Sequence, residues 1–224
     1  MYMMHFGEVL RYSDMLLRGV LFTLELSILT IFLSLILGTI IAIYRISNNK
    51  FLFALAAAYV EFFRNVPLLI VIYIIFYANV GLLSSFKFTP FAAGVIALTL
   101  NSAAFVAETI RGGLKTIAKE QLESAQSLGL SKFQMFRFVI IPYVMRIVWT
   151  ALGNQAVDIV LGSSVVSVIA YPELTYIGMN IGATKDRYFE VFIILLFIYL
   201  LLSVGISSTL RVIKRVFLKP SELE

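Results

Sequence analysis

From Gly19 to Tyr44 the chain carries a single charge, Glu25, in an otherwise apolar run. A helix needs roughly 20 mostly apolar residues to cross the hydrocarbon core of a bilayer, so this run predicts a membrane-spanning helix over 19–44. Its length, and the lack of a small-residue cleavage site, make it a retained span rather than a signal peptide. Four further runs meet the same test. They predict spans over 60–83, 88–110, 138–161 and 189–211; the 138–161 span holds Arg146 and Asp158. No repeat or linker divides the chain. The expected fold is therefore all-α: a single polytopic membrane domain, 1–224, with five transmembrane helices and its termini on opposite sides.

The stretches between the runs are also patterned. Residues 52–63 (LFALAAAYVEFF) are helical in composition. After them Asn65 either caps a new helix or Pro67 kinks a continuing one; a short lead-in helix running into the second span is the favoured reading. The long segment 162–188 carries Gly162, Pro172, Gly178 and Gly182, and its apolar 165–169 run is expected to dip back into the protein. Between the third and fourth spans lies a polar loop, 112–137. Thr116 is placed to cap a helix there. Ala118, Leu122, Ala125 and Gly129 then fall on one face, made of small or modest side chains that another surface can approach closely. Gly129 suits a left-handed helix end. Ser131 and Gln134 form the S-x-x-Q of a capping box that announces a second helix, with Pro142 about three turns in.

Composition changes the picture little. With 60% hydrophobic and 14% charged residues and a mean hydropathy of +0.95, the chain lies far from soluble domains, which carry about 25% charged residues. It has no cysteine and one histidine, His5. That excludes disulfides and thiolate metal sites, and no resident cofactor or metal is expected. The net charge of +5 is spread over loops rather than massed on one surface, so no nucleic-acid partner is expected. Charge placement predicts orientation instead. Arg45, Lys50, Arg111, Lys115, Lys119, Lys132, Arg137, Arg211, Lys214, Arg215 and Lys219 fall on one side, against Arg11, Arg18, Lys87, Lys185 and Arg187 on the other. The richer side is expected to be cytoplasmic, with the N-terminus outside and the C-terminus inside.

The polar loop carries a resemblance. Glu123-Ser124-Ala125-x-x-x-Gly129, nine residues, then Val139-x-Ile141-Pro142 resembles the EAA loop (E-A-A-x3-G-x9-I-x-L-P) of the permease subunits of bacterial ABC importers. Three further stretches are similar to the polar amino acid branch of that family: Thr23-Leu24-Glu25, Glu61-Phe62-Phe63-Arg64-Asn65-Val66-Pro67-Leu68 and Ala107-Glu108-Thr109-Ile110-Arg111-Gly112-Gly113. The likeness covers roughly residues 15–215. It implies a type I permease fold in a bacterial cytoplasmic membrane and four kinds of partner: the lipid bilayer, an ABC ATPase dimer, a second permease subunit (identical or paralogous), and an extracytoplasmic solute-binding protein. ATP and Mg would be bound by the partner ATPase, whose coupling contacts the resemblance assigns to Leu122, Glu123, Ala125, Leu128 and Gly129. One stretch departs: where the branch has Lys-Asp-(Ser/Thr)-Ser-Leu, this chain has Leu161-Gly162-Ser163-Ser164-Val165, with two charges fewer.

Polar groups inside the spans need a reason, because a carboxylate at mid-membrane costs roughly 2.5–3.5 kcal/mol on insertion scales. Glu25 near the outer surface snorkels to it, and Arg146 reaches water at the other end. Glu108 and Arg111, three apart, are expected to pair. Asn154, Gln155 and Asp158 in the fourth span and Asn101, Ser102 and Phe105 in the third remain. Two readings stand for these: helix–helix hydrogen bonding, or a seam that binds the ammonium and carboxylate of an amino acid. The solute-binding candidates are Asn101, Ser102, Phe105, Gln155 and Asp158. No H-E-x-x-H, G-x-S-x-G or G-x-x-x-x-G-K-[ST] occurs, so neither catalysis nor ATP hydrolysis is expected of this chain. The alternatives are an ABC permease for another small polar solute, such as a quaternary amine, and a subunit of an oligomeric channel or secondary transporter.

Overall fold

The computed structural model describes residues 5–81 and 88–217. They form helices and no strand. A short α1 (Phe6–Leu10) leads into a long α2 (Ser13–Tyr44). Helix α3 (Lys50–Asn65) is capped by the Asn49 side chain, which accepts from Phe51 and Leu52 N–H, and α4 (Leu68–Gly81) follows it. Thr89 caps α5 (Pro90–Lys115), with Pro90 in the first turn, where its missing N–H removes no helix bond. After α6 (Lys119–Ser127) and α7 (Lys132–Met135), a π-helical turn at Phe136–Ile140 leads into α8 (Ile141–Gly162). A 3₁₀ turn at Ser163–Ile169, α9 (Leu174–Lys185) and α10 (Tyr188–Phe217) complete the chain.

Four of the five expected spans are continuous: Ser13–Tyr44, Pro90–Lys115, Lys132–Ile169 and Tyr188–Val216 are each long and apolar enough to cross a bilayer. The second is not. The span expected over 60–83 breaks between α3 and α4, whose axes turn by 107°. Val66 takes an extended conformation (φ −100°, ψ 131°) ahead of Pro67, because the proline ring disfavours a helical residue before it. Residues 82 and 83 of that expected span lie outside the described residues, as do Lys87 and Lys219.

Helices α2 and α5 form the most extensive pair in the bundle. The buried side of α2 runs Gly19, Thr23, Ser27, Thr30, Ser34, Gly38, while Leu21, Ile28 and Phe32 stand exposed. This reverses the amphipathicity of a soluble helix. Lipid is as apolar as leucine, so the large residues gain nothing by turning inward, and small ones let the backbones approach. At Gly38 an added Cβ would lie 2.6 Å from Val106 Cγ1 and 2.9 Å from the carbonyl oxygen of Ala103. Where α5 meets α8, a Cβ on Gly113 would lie 2.3 Å from Val148 Cγ1.

The 162–188 segment is folded. Val166 and Ile169 are buried, α9 packs on α2 and α10, and Glu173 caps α9 with no exposed surface at all. Its carboxylate accepts from Thr175 and Tyr176 N–H at 2.9 and 2.7 Å and from the Tyr199 hydroxyl at 2.8 Å.

Replacing Gly38 by leucine should destabilise the protein by about 1–3 kcal/mol through overpacking against backbone. Gly112→Ala, where an added Cβ meets nothing within 4 Å, should be neutral or mildly stabilising. Thermal unfolding in detergent separates the two.

Candidate functional site

Two places in the bundle gather the residues singled out by the sequence. The first is a cleft of about 230 Å³ between α5 and α8, closed at one end by Leu68 of α4 and by Gly162. All five solute candidates line it. Asn101, Ser102 and Phe105 come from α5, and Gln155 and Asp158 from α8. Asn101 lies 11 residues into α5, roughly 16 Å from its start at 1.5 Å per residue, so the cleft sits near the middle of the span. Ser102 is buried, Asn101, Phe105 and Gln155 are half-buried, and Asp158 is exposed on this single chain.

Asn101 has part of its capacity committed. Its amide nitrogen donates to the Phe63 carbonyl at 2.8 Å, one residue from the Tyr59 hydroxyl bond to Leu100 O at 2.7 Å. These bonds hold the end of α3 against α5 where the chain breaks direction. They also bring in a residue that spacing did not single out: the Arg64 guanidinium carbon lies 5.5 Å from the Phe105 ring centroid, within cation–π reach. The cleft region thus holds one exposed carboxylate, one exposed guanidinium and an aromatic ring between helices. The signal for Arg64 was available, since it is a charge just before the Pro67 break. Asn154 departs from expectation. Although four residues from Asp158, it borders a separate groove with Ser207, Arg211 and Lys214. Glu108 is also elsewhere. It accepts from Arg111 Nε at 2.9 Å, as expected of the i, i+3 pair, and from Arg45 of α2 at 3.1 Å, which spacing could not foresee. Gly162, in the stretch that departs from the resemblance, lines the cleft without contributing charge.

The second place is the module around α6. Thr116 does not cap it: the Thr116 hydroxyl donates to Gly113 O, ending α5, and the N-cap of α6 is Ala118, without a side-chain bond. Helix α5 runs on to Lys115 because its ladder continues to that threonine, shortening the loop expected from 112. The far end is as the sequence predicts. Gly129 has φ +75°, its N–H donates to Gln126 O, and Leu130 N–H donates to Ala125 O, a Schellman ending. Ser131 and Gln134 make both bonds of the capping box. Ahead of Pro142, which has no N–H to donate, the ladder slips into the π turn. The Tyr143 hydroxyl donates to Thr116 O at 3.2 Å and ties the C-terminal end of α5 to α8 beside the module.

The predicted contact residues divide. Ala125 is 5% exposed and lines a hollow with Phe138, Pro142 and Tyr143, so its small size serves packing on its own chain. Leu122 is half-buried, and Glu123 and Gly129 are exposed. Leu128 is 81% exposed and Phe133, which spacing did not flag, 69%. Two large apolar side chains thus stand exposed beside a polar helix.

Residues 34–217 match the binding-protein-dependent transport system inner membrane components. The chain belongs to that family. A probable glutamine ABC transporter permease protein of Bacillus subtilis (strain 168) is 35% identical over 87% of this chain and 89% of its own length. A nopaline transport system permease protein of Agrobacterium fabrum (strain C58 / ATCC 33970) is 33% identical over 86% and 83%. A solved amino acid ABC transporter with histidines superposes with a TM-score of 0.87 at 32% identity, covering 96% of this chain and 99% of that one. This family member is accordingly a multi-pass transport component, with the type I permease fold.

Because Glu108 is committed to two arginines, Glu108→Gln should lower stability by about 1.5–3 kcal/mol, the range of charged hydrogen bonds. It should leave solute affinity of the assembled transporter unchanged. Denaturation midpoints and equilibrium binding read the two effects separately.

Proposed function

We propose that the chain is one of two membrane-spanning subunits of an ATP-driven importer for a polar amino acid in a bacterial cytoplasmic membrane. A solute-binding protein delivers the solute on the outer side, and an ATPase dimer that binds ATP and Mg engages α6 on the cytoplasmic side. Family membership supports this, as do the activities named for the relatives: glutamine, nopaline and amino acid transport. The Lys/Arg distribution supports an outside N-terminus and an inside C-terminus.

One observation carries the mechanism. Helix α6 lies between α5 and α8, and the same two helices line the cleft. The Schellman ending, the capping box, the buried Ala125 and the Tyr143 bond make the module stiff, so displacement of α6 by a closing ATPase shifts the cleft walls against each other. Leu128, Phe133, Glu123 and Leu122 supply the docking surface, and Gly129 keeps the turn that orients it. In the cleft, Asp158 faces the solute's ammonium, Arg64 its carboxylate, and Asn101, Ser102 and Gln155 its remaining polar atoms, with Phe105 as a wall. An exposed carboxylate at this depth does not face lipid. The second permease and the water of the pathway cover it, which also accounts for a hollow smaller than the roughly 300–1,000 Å³ of a complete ligand pocket.

Reconstituted transporter tests this reading. Uptake should require ATP, the ATPase and the binding protein; uptake on an ion gradient alone would overturn it in favour of a channel or secondary transporter. Asp158→Asn should reduce uptake at least roughly tenfold, the scale of a lost charged contact, or redirect it to another solute. Glu123→Arg or Gly129→Leu should leave the protein inserted but abolish solute-stimulated ATP hydrolysis. Unchanged stimulation would remove α6 from the coupling path.

A further inference from the structure

A second groove, distinct from the cleft and the α6 module, runs between α8 and α10. Its polar part is lined by Trp149, Thr150, Asn154, Ser207, Arg211 and Lys214. Lys214 Nζ donates to Thr150 Oγ1 at 2.9 Å, Arg211 Nε to Ser207 O at 3.3 Å and an Arg211 terminal nitrogen to Ser208 Oγ at 3.1 Å. Both cations keep further donors, and neither meets a carboxylate among the described residues. Two cations with neutral partners that line one groove give it a positive lining that suits an anion.

The depth of the groove identifies that anion. The Gly113 contact with Val148 places this part of α8 level with the far end of α5, about 34 Å from Pro90 at 1.5 Å per residue. That is one hydrocarbon thickness from the opposite surface. Arg211 and Lys214 therefore lie at headgroup level on the α6 side. The Trp149 indole, typical of this interface, donates to Leu210 O at 3.0 Å.

The groove then changes character. Trp149, Gly153 and Leu210 are shared with an adjoining, mostly apolar hollow walled by Ile31, Leu35 and Met145, which ends towards the bilayer centre at Gln155 and Ile159, the back of the cleft wall. Polar at the interface and apolar below it, the combined groove follows the polarity of a phospholipid along the membrane normal. A free phosphate has no use for the apolar half.

We infer that this groove is a binding site for an anionic phospholipid, its phosphate held by Lys214 and Arg211 and the upper acyl chain lying along Trp149 into the apolar hollow. The inference rests on the proposed orientation only for naming the leaflet, the cytoplasmic one. Bound there, the lipid bridges α8, which carries Asp158, to α10, so occupancy bears on the helix that lines the cleft.

Trp149 is the only tryptophan in the chain, which supplies the probe. In the assembled transporter, with any tryptophan in the membrane part of the partner replaced by phenylalanine, brominated phosphatidylglycerol should quench Trp149 with an affinity roughly tenfold above brominated phosphatidylcholine. Arg211→Ala/Lys214→Ala should bring the ratio to about one, and inorganic phosphate should not relieve the quenching. Equal quenching by the two lipids in the parent protein, or a ratio unchanged in the double variant, would overturn the site. Quenching by neither would show that a protein surface covers the groove, and phosphate relief would make it a soluble-anion site; each also overturns it. Labelling of a single cysteine introduced at Ser208 (the chain has none of its own) reports the leaflet independently, so an error in orientation is told apart from an error in the site.

Discussion

The bundle depends on the close approach of α2 to α5. Inside a bilayer there is no water to drive large side chains together, so helices associate where small residues allow dense contact. Gly38 lets α2 close on Val106 and Ala103 of α5, Gly19 lets α9 approach α2 at Leu174, and Gly113 does the same where α5 meets α8. Helix α5 is thereby clasped from two sides. Its mid-span residues are fixed relative to α8, which is what a cleft shared by those two helices requires.

Charge is distributed with the same economy. Glu108 is shared by Arg45 and Arg111 where α2 and α5 approach the α6 side, which leaves the cluster with one net positive charge. Glu173 is buried but satisfied by two backbone donors and the Tyr199 hydroxyl, and it orients α9 between α2 and α10. Asp158 lines the cleft with Phe105, and the Arg64 guanidinium lies over the same ring. In the proposed importer they are the natural complement of a zwitterion.

The α6 module shows how a short polar segment becomes mechanical. Nine helical residues alone would fray. Here the helix is stopped by Gly129 in a left-handed turn and restarted by the Ser131–Gln134 box, and the loop that holds it is closed by the Tyr143 bond to Thr116. In the proposed importer the exposed Leu128 and Phe133 are the surface through which the ATPase moves the cleft walls.

Much of this was legible in the chain itself. Long apolar runs identify four continuous spans because bilayer thickness sets a length that composition reveals. Gly129 and the Ser131–Gln134 box announce their turns because local backbone geometry decides them. Four of the five cleft residues, Asn101, Ser102, Gln155 and Asp158, were recognisable as polar groups in apolar surroundings, and Phe105 by its place one turn from Asn101. Other features needed the fold. Thr116 has the chemistry of a cap at either kind of helix end, and only the continued ladder of α5 chose the C-terminal one. The 107° turn at Pro67, the capture of Glu108 by Arg45, the placement of Arg64 on Phe105 and the separation of Asn154 from Asp158 all depend on which helix lies beside which. Periodicity and local chemistry are written residue by residue, whereas neighbours across the bundle are set by the packing of whole helices, and no stretch of sequence contains that information alone.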